Sequence, residues 1–277
     1  MDQTEAATAR RDWEVFRQRR EADLKQDHGW LSLTGFHWLP DSPDHLGTLP
    51  GLWSATGGQA ALAARPGDGL AFVETGRPVD GLFTASLDDE ESLLWVRYGG
   101  PDGHRVVVEL ARRGGRYAVR PRDAESPVAV SFSSVPVYDY APEWVLPGRF
   151  EPYPRPVDVA IHTAHPQVPG TQRSVGEVVF SLPGAAAELR LQVSAAGPGR
   201  LNLTFHDETN GAATAGWRSL TFPAPNGGAA AGPLVLDFNR AVNYPSAFTE
   251  FGTCPMPVEG NRIPAAVEAG EKRPDAA

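Results

Sequence analysis

Three charged side chains, Asp207, Arg218 and Asp237, sit where apolar runs in the second half of the chain begin or end. Asp207 belongs to His206-Asp207-Glu208, which closes the run "RLNLTF" and enters the turn-like "ETNG". A histidine beside carboxylates at a strand end could move protons; equally, Asp207 could cap the turn. Arg218 opens an otherwise apolar run. A buried guanidinium there needs a carboxylate partner, which Asp207 or Asp237 could supply, or it could offer its fork to an anionic ligand. Asp237, Asn239, Arg240 and Asn243 follow "PLVL" directly. Loops fixed by strand ends commonly carry binding residues, although Asn side chains also close turns. Cys254, the only cysteine, lies in "TCPMP". With a histidine elsewhere it is a candidate nucleophile, and otherwise a small buried hydrophobe. Glu268 and Glu271 read as one turn apart on a short helix or turn from Pro264, where like charges call for a cation or a shared proton.

Other chemistry has weaker footing. His162 and His165, in "IHTAHP", would share a face only on a helix, and Pro166 with the β-like run before it denies them one. No metal site is therefore expected. The chain holds no G-x-S-x-G elbow, no G-x-x-x-x-G-K-[ST] loop, no G-x-G-x-x-G after a strand and no H-E-x-x-H. No motif fixes a reaction or a cofactor.

Elements must place these residues, and the totals restrict which elements. Hydrophobic residues make up 41% and charged residues 21% of 277, as in globular proteins. A formal charge of -9 disfavours nucleic acid and anionic membrane as partners. The apolar runs are far shorter than the roughly 20 residues that span a bilayer. "MDQTEAATARRDWEVFRQRR" lacks the apolar core of a secretory signal, and a single cysteine suits a reducing compartment, so the expected location is cytoplasmic.

Trp13, Phe16, Arg20 and Leu24 recur at helical spacing and predict a helix over Thr4 to Asp27 with an aromatic stripe for docking. "GWLSLTGFHWL" follows as an aromatic plug, completing residues 1–39. Short alternating runs over 40–136 predict a first β unit; its clearest hairpin turns at Gly114-Gly115. "SPVAVSFSSVPVY" reads as a further strand, weakened by Pro136. The proline- and aromatic-rich stretch 137–156 reads as an extended crossover. A second antiparallel series fills 157–240, and 241–277 forms a wrap and tail. The fold class is mainly β: an antiparallel meander forming a sandwich or barrel-like body in two β units, with an N-terminal helix and a C-terminal wrapping segment.

"GWLSLTGFHWL", "RPRD" at 120–123, "FHDETNG" before Trp217-Arg218, and "DFNRAVNYPSAF…TCPMPVEGNRIPAAVEAGEK" together resemble the bacterial and archaeal proteins grouped as domain of unknown function 1684. The resemblance runs from Trp13 to Lys272. It implies a single integrated unit, 1–277, but no established activity. It also singles out the positions held here by Asp207, Thr209, Gly211, Arg218, Asp237, Asn239, Asn243, Cys254, Pro255, Asn261, Glu268, Gly270 and Glu271. Where the family commonly has a second cysteine this chain has Ser246, and Tyr244 departs from the pattern too, which argues against a paired-cysteine site.

Three readings of function follow. In the first, a small-molecule site, anionic in preference and hydrolytic by default, lies at the end of the second β unit. There Asp237, Glu268 or Cys254 would be catalytic, and Asp207, Thr209, Arg218, Asn239, Asn243, Asn261 and Glu271 would bind ligand. In the second, the module binds without catalysis, in a pocket lined by Trp30, Trp38, Trp53 and Trp95. In the third, the polar set is a structural network and function lies in a homo-oligomer surface.

Overall fold

The structure is a computed structural model and describes residues 3–228 and 230–274. It is mainly β and divides into two compact units: Met1–Ala22 with Ser133–Ala276, and Asp23–Phe132. In chain order the elements are α1 (Gln3–Leu24), β1 (His37–Trp38), β2 (Leu52–Thr56), β3 (Gln59–Ala64), β4 (Ala71–Phe72), β5 (Gly81–Ala85), β6 (Ser92–Tyr98), β7 (Val106–Arg113), β8 (Arg116–Asp123) and α2 (Pro127–Ser131). There follow β9 (Val145–Ile161), β10 (Gly170–Ser181), β11 (Glu188–Ala195), β12 (Arg200–Phe205), β13 (Arg218–Pro223), β14 (Gly232–Asp237) and β15 (Val242–Asn243).

The unit Asp23–Phe132 holds a five-stranded antiparallel sheet, ordered β1-β8-β7-β6-β4, and a three-stranded one, β2-β3-β5. Trp53, Leu62, Val96, Val108, Leu110 and Val119 form its core. The β7–β8 hairpin turns through Gly114 (φ 56°) and Gly115 (φ 75°), the positive angles that a tight two-residue connection demands. The strand expected in "SPVAVSF" is instead α2. Pro127 stands in its first turn, and Ser126 Oγ accepts from the Ala129 amide and donates to the Leu31 carbonyl (3.1 and 2.7 Å). A serine cap followed by proline is a helix start, and that local chemistry outweighs the alternating valines.

The other unit is built on a seven-stranded sheet, β14-β9-β10-β11-β12-β13-β15, antiparallel at each pairing. It is a meander from β9 to β13, with β14 returning to the outer side of β9. Phe150, Phe180, Leu203, Phe205, Leu220 and Phe238 are among the residues of its core. The segment expected as a crossover supplies the first part of β9. Pro152, Pro154 and Pro156 lie beyond Phe150, the last residue β9 shares with β14, whereas Pro147 lies within the shared stretch, opposite Val235.

After β15 the chain becomes irregular, and from Asn261 it runs as a strap that is not helical and bends at 264–265 and at Gly270. Asn261, Ile263, Val267, Ala269 and Glu271 are buried along it while Arg262, Pro264, Ala266 and Glu268 are exposed. The strap is not the short helix expected from Pro264. Glu268 is exposed and Glu271 buried, so the two do not share a face. Lys272 and Arg273 still donate backbone N–H bonds, to Pro136 and Ala213. The last residues of the expected tail, 275–277, lie outside the described residues.

Candidate functional site

Leu203, Phe205 and Asp207 share one face of β12 and its extension, and Arg218, Leu220 and Phe222 share one face of β13; all six are buried. On each of the two strands that face thus ends on a charge. Arg218 and Asp207 have side-chain exposures of 0% and meet at 2.7 Å. Phe205 lies under the guanidinium, 5.5 Å from its centre. The strap passes over the same group. Arg218 Nη2 donates to the Val267 carbonyl (2.9 Å), and Nη1 donates to those of Ala269 (2.5 Å) and Glu271 (3.3 Å). On a fully extended chain the first and last of these carbonyls would stand about 13 Å apart, so the strap must curve around the guanidinium, and the positive φ of Gly270 (78°) breaks the extended run there. Asp207 Oδ1 accepts from the amide and hydroxyl of Thr209, and Thr214 Oγ1 lies 2.8 Å from that hydroxyl. Gly270 (φ 78°) permits the close passage, since a Cβ there would stand 2.9 Å from the Phe238 oxygen.

Glu271 turns the other way along the strap. Its Oε2 accepts from the Asn243 amide (2.7 Å) and its Oε1 from Arg20 Nε (3.0 Å), with Arg17 Nη1 at 3.5 Å. Both arginines lie on the inward side of α1. Glu268 and Glu271 do not form the expected pair; Glu271 alone meets cations, which the helix supplies. Burial draws the Arg17 guanidinium below its usual value, and Glu271 and Glu21 oppose that shift. Trp13, on the same stripe, donates to the Asn239 carbonyl at 2.9 Å, so the stripe is a docking face.

The asparagines pair with backbone. Asn239 accepts from the Ala141 amide (2.8 Å) and donates to the Ala141 carbonyl (3.0 Å). Asn261 does the same for Gln192, at 2.9 and 2.8 Å, and donates to the Thr204 carbonyl at 3.0 Å. It bridges β11 and β12 just where their ladder, which pairs only Ser194 and Ala195, stops. Asn243 donates to the Lys272 carbonyl at 2.8 Å. Asp207, Thr209, Arg218, Asn239, Asn243, Asn261 and Glu271 are all buried, each engaged in anchoring chain.

Asp237 departs from this pattern. It ends β14, accepts from Asn239 (2.9 Å) and Arg240 (3.1 Å), and lines a cleft of about 730 Å³ between α1 and the sheet of its unit. Arg19, Arg200 and Arg240 line the cleft with Asp12 and Asp237. Its apolar wall includes Phe16, Tyr140 and two exposed valines, Val15 (44%) and Val235 (55%). Burial, together with the Asp237 charge, pushes the Tyr140 phenol up. Arg240 lies over the Phe16 ring at 5.3 Å.

The remaining candidates lie apart from this cleft. Glu268 is exposed on the strap, and Cys254 is buried where its carbonyl accepts from the Ala164 amide at 2.8 Å. Nor do the four tryptophans line it. Trp53 and Trp95 pack edge to face in the core of Asp23–Phe132 at 5.8 Å, and Trp38 stacks with Arg116 at 4.0 Å. Trp30 lies over Arg120 and Arg122. These arginines reveal a cluster the sequence reading missed. Glu109 is buried between Arg120 and Arg122, which donate to its two oxygens, and Arg122 also donates to the carbonyls of His28 and Gly29. The available signal was "RPRD" directly opposite Glu109 across a recognised hairpin. Among the described residues no three His, Cys, Asp or Glu side chains are grouped to hold a metal ion, and no helix is long and apolar enough to cross a membrane.

Fold and site thus define a mainly β protein whose terminal strap is anchored by buried charge and amide pairs. Residues 130–272, over half of the chain, match the model of a family described as a protein of unknown function (DUF1684), and the chain belongs to that family. A solution NMR structure of the uncharacterized protein from gene locus rrnAC0354 of Haloarcula marismortui is similar over 53% of this chain and 80% of that one, with 24% identity and a TM-score of 0.43. No curated protein matches the chain.

Proposed function

We propose that the protein binds an amphipathic small-molecule anion in the cleft beside α1, and that the Arg218 network is the frame holding that cleft's walls. The observation that carries this reading is the lining itself: three arginines, Arg19, Arg200 and Arg240, outnumber Asp12 and Asp237 beside exposed Val15 and Val235 in one concavity. In a chain of net charge -9 such a gathering of cations is a local arrangement. Solvent-facing valines beside it suit the apolar part of a ligand. Binding without turnover is the reading preferred over hydrolysis, because Asp237 is held by Asn239 and Arg240 while Glu268 and Cys254 lie outside the cleft.

The test uses 8-anilinonaphthalene-1-sulfonate, an apolar anion whose fluorescence reports burial. One saturable site is expected, displaced by decanoate and not by decanol. Replacing Arg19 and Arg200 by Ala should weaken it about tenfold or more, the worth of one charged hydrogen bond. No saturable site, or one indifferent to both arginines, would remove the proposal.

A further inference from the structure

A second cleft in the same unit encloses about 580 Å³ where β9 and β12 end. Ile161 and His162 line one side, His206 another, and the turn from Pro257 to Arg262 crosses between them. Backbone bonds fix all three. The Met256 amide donates to the His162 carbonyl and the Ile263 amide to that of His206, each at 2.8 Å, while the His206 amide donates to Asn261 at 2.9 Å. Asn261 is itself anchored on Gln192 and Thr204.

His206 stands between Phe205 and Asp207, both turned into the core, so alternation turns its imidazole outward. Its Nδ1 lies 2.9 Å from the Gly216 carbonyl oxygen. A carbonyl only accepts, so Nδ1 carries the proton and Nε2 is the free ring nitrogen. His162 and Arg262 are exposed, and their side chains make no hydrogen bond or ion pair among the described residues. In sequence His162 pairs with His165 without a shared face; in the fold it lines the same cleft as His206.

We infer that this cleft binds a small phosphate monoester. Three groups, His162, His206 and Arg262, face one concavity, and a tetrahedral phosphate offers three terminal oxygens where a carboxylate offers two. Nε2 of His206 takes the acidic proton of the monoanion, and the imidazolium so formed donates back to the phosphate oxygen. Arg262 supplies the fixed charge. Ile161, Pro257 and Val258 provide an apolar wall for the organic portion, and Glu259 on the same turn can accept from its hydroxyl groups.

The experiment follows the imidazole signals of the protein labelled with carbon-13 histidine, titrated with phenyl phosphate at constant ionic strength. Two of the seven histidines, assigned as His162 and His206 through single variants, should shift saturably while His45 and His104 stay in place. Arg262→Ala, at an exposed position, should weaken binding about tenfold with the fold retained. The assignment is overturned if these two signals stay fixed or if every histidine drifts together. It also fails if Arg262→Ala binds like the parent, or if acetate saturates the site with equal affinity.

Discussion

Removing a guanidinium from water costs several kcal/mol unless a carboxylate and further acceptors replace the lost hydration, and Arg218 has both. Asp207 supplies the countercharge and Val267, Ala269 and Glu271 the carbonyls. Arg218→Met should therefore destabilise the unit by about 3–5 kcal/mol, since Asp207 would be left charged and unpaired. Adding Asp207→Asn should recover part of that loss. Urea unfolding followed by circular dichroism measures both, and binding of the sulfonate probe by the folded variant should persist. A double variant no more stable than the single one would show that the uncompensated carboxylate is not what matters. The need for a partner to Arg218 was readable from an arginine in an apolar run. The choice of Asp207 over Asp237 was not, because it depends on which strand neighbours β13.

Among elements, the β7–β8 hairpin has the clearest electrostatic consequence. Burial alone would raise the Glu109 carboxyl, but Arg120 and Arg122 outweigh burial and hold it below its ordinary value of 4.5. A carboxylate depressed in the folded state stabilises fully above its unfolded value, and that contribution is lost as pH falls through the folded value. Glu109→Gln should thus cost about 3–5 kcal/mol at pH 7, by leaving two buried cations unpaired. The gap to the parent should narrow as pH falls below the ordinary value of 4.5 and through the depressed folded value. A gap that stays constant on acidification would rule out the ion pairs as its source. The signals of this hairpin, paired glycines that take the positive φ a tight turn demands, were legible in sequence. Those of α2 were equally local, a serine cap before proline, but alternating valines obscured them. The strap was opaque for another reason. Its conformation depends on partners far along the chain, Arg218, Ala241 and Pro136, with Gly270 the one local residue that permits it.

For the whole molecule, the chain separates into Met1–Ala22 with Ser133–Ala276 and the continuous stretch Asp23–Phe132. The reading of one integrated unit stands as a proposal about cooperativity. Under it, Arg218→Met in one unit and Glu109→Gln in the other should lower the same unfolding midpoint, whether followed by tryptophan fluorescence or by far-ultraviolet dichroism. Two midpoints, each answering to one variant only, would mean that the units unfold independently.

Composition, strand periodicity and turn chemistry determined, without any coordinates, that the protein is mainly β and antiparallel, that a helix docks by an aromatic stripe, and that its polar residues gather at strand ends and in the final segment. These are local properties, set by side-chain alternation and backbone preference within a few residues. Tertiary structure alone decided which polar groups are sealed and which face solvent. It buried Arg218, Glu271 and Asn261 as anchors of the strap, left Asp237 at the lip of an arginine-lined cleft, and brought His206 to the same concavity as His162. Burial and pairing depend on neighbours distant in sequence, and no short-range pattern encodes them.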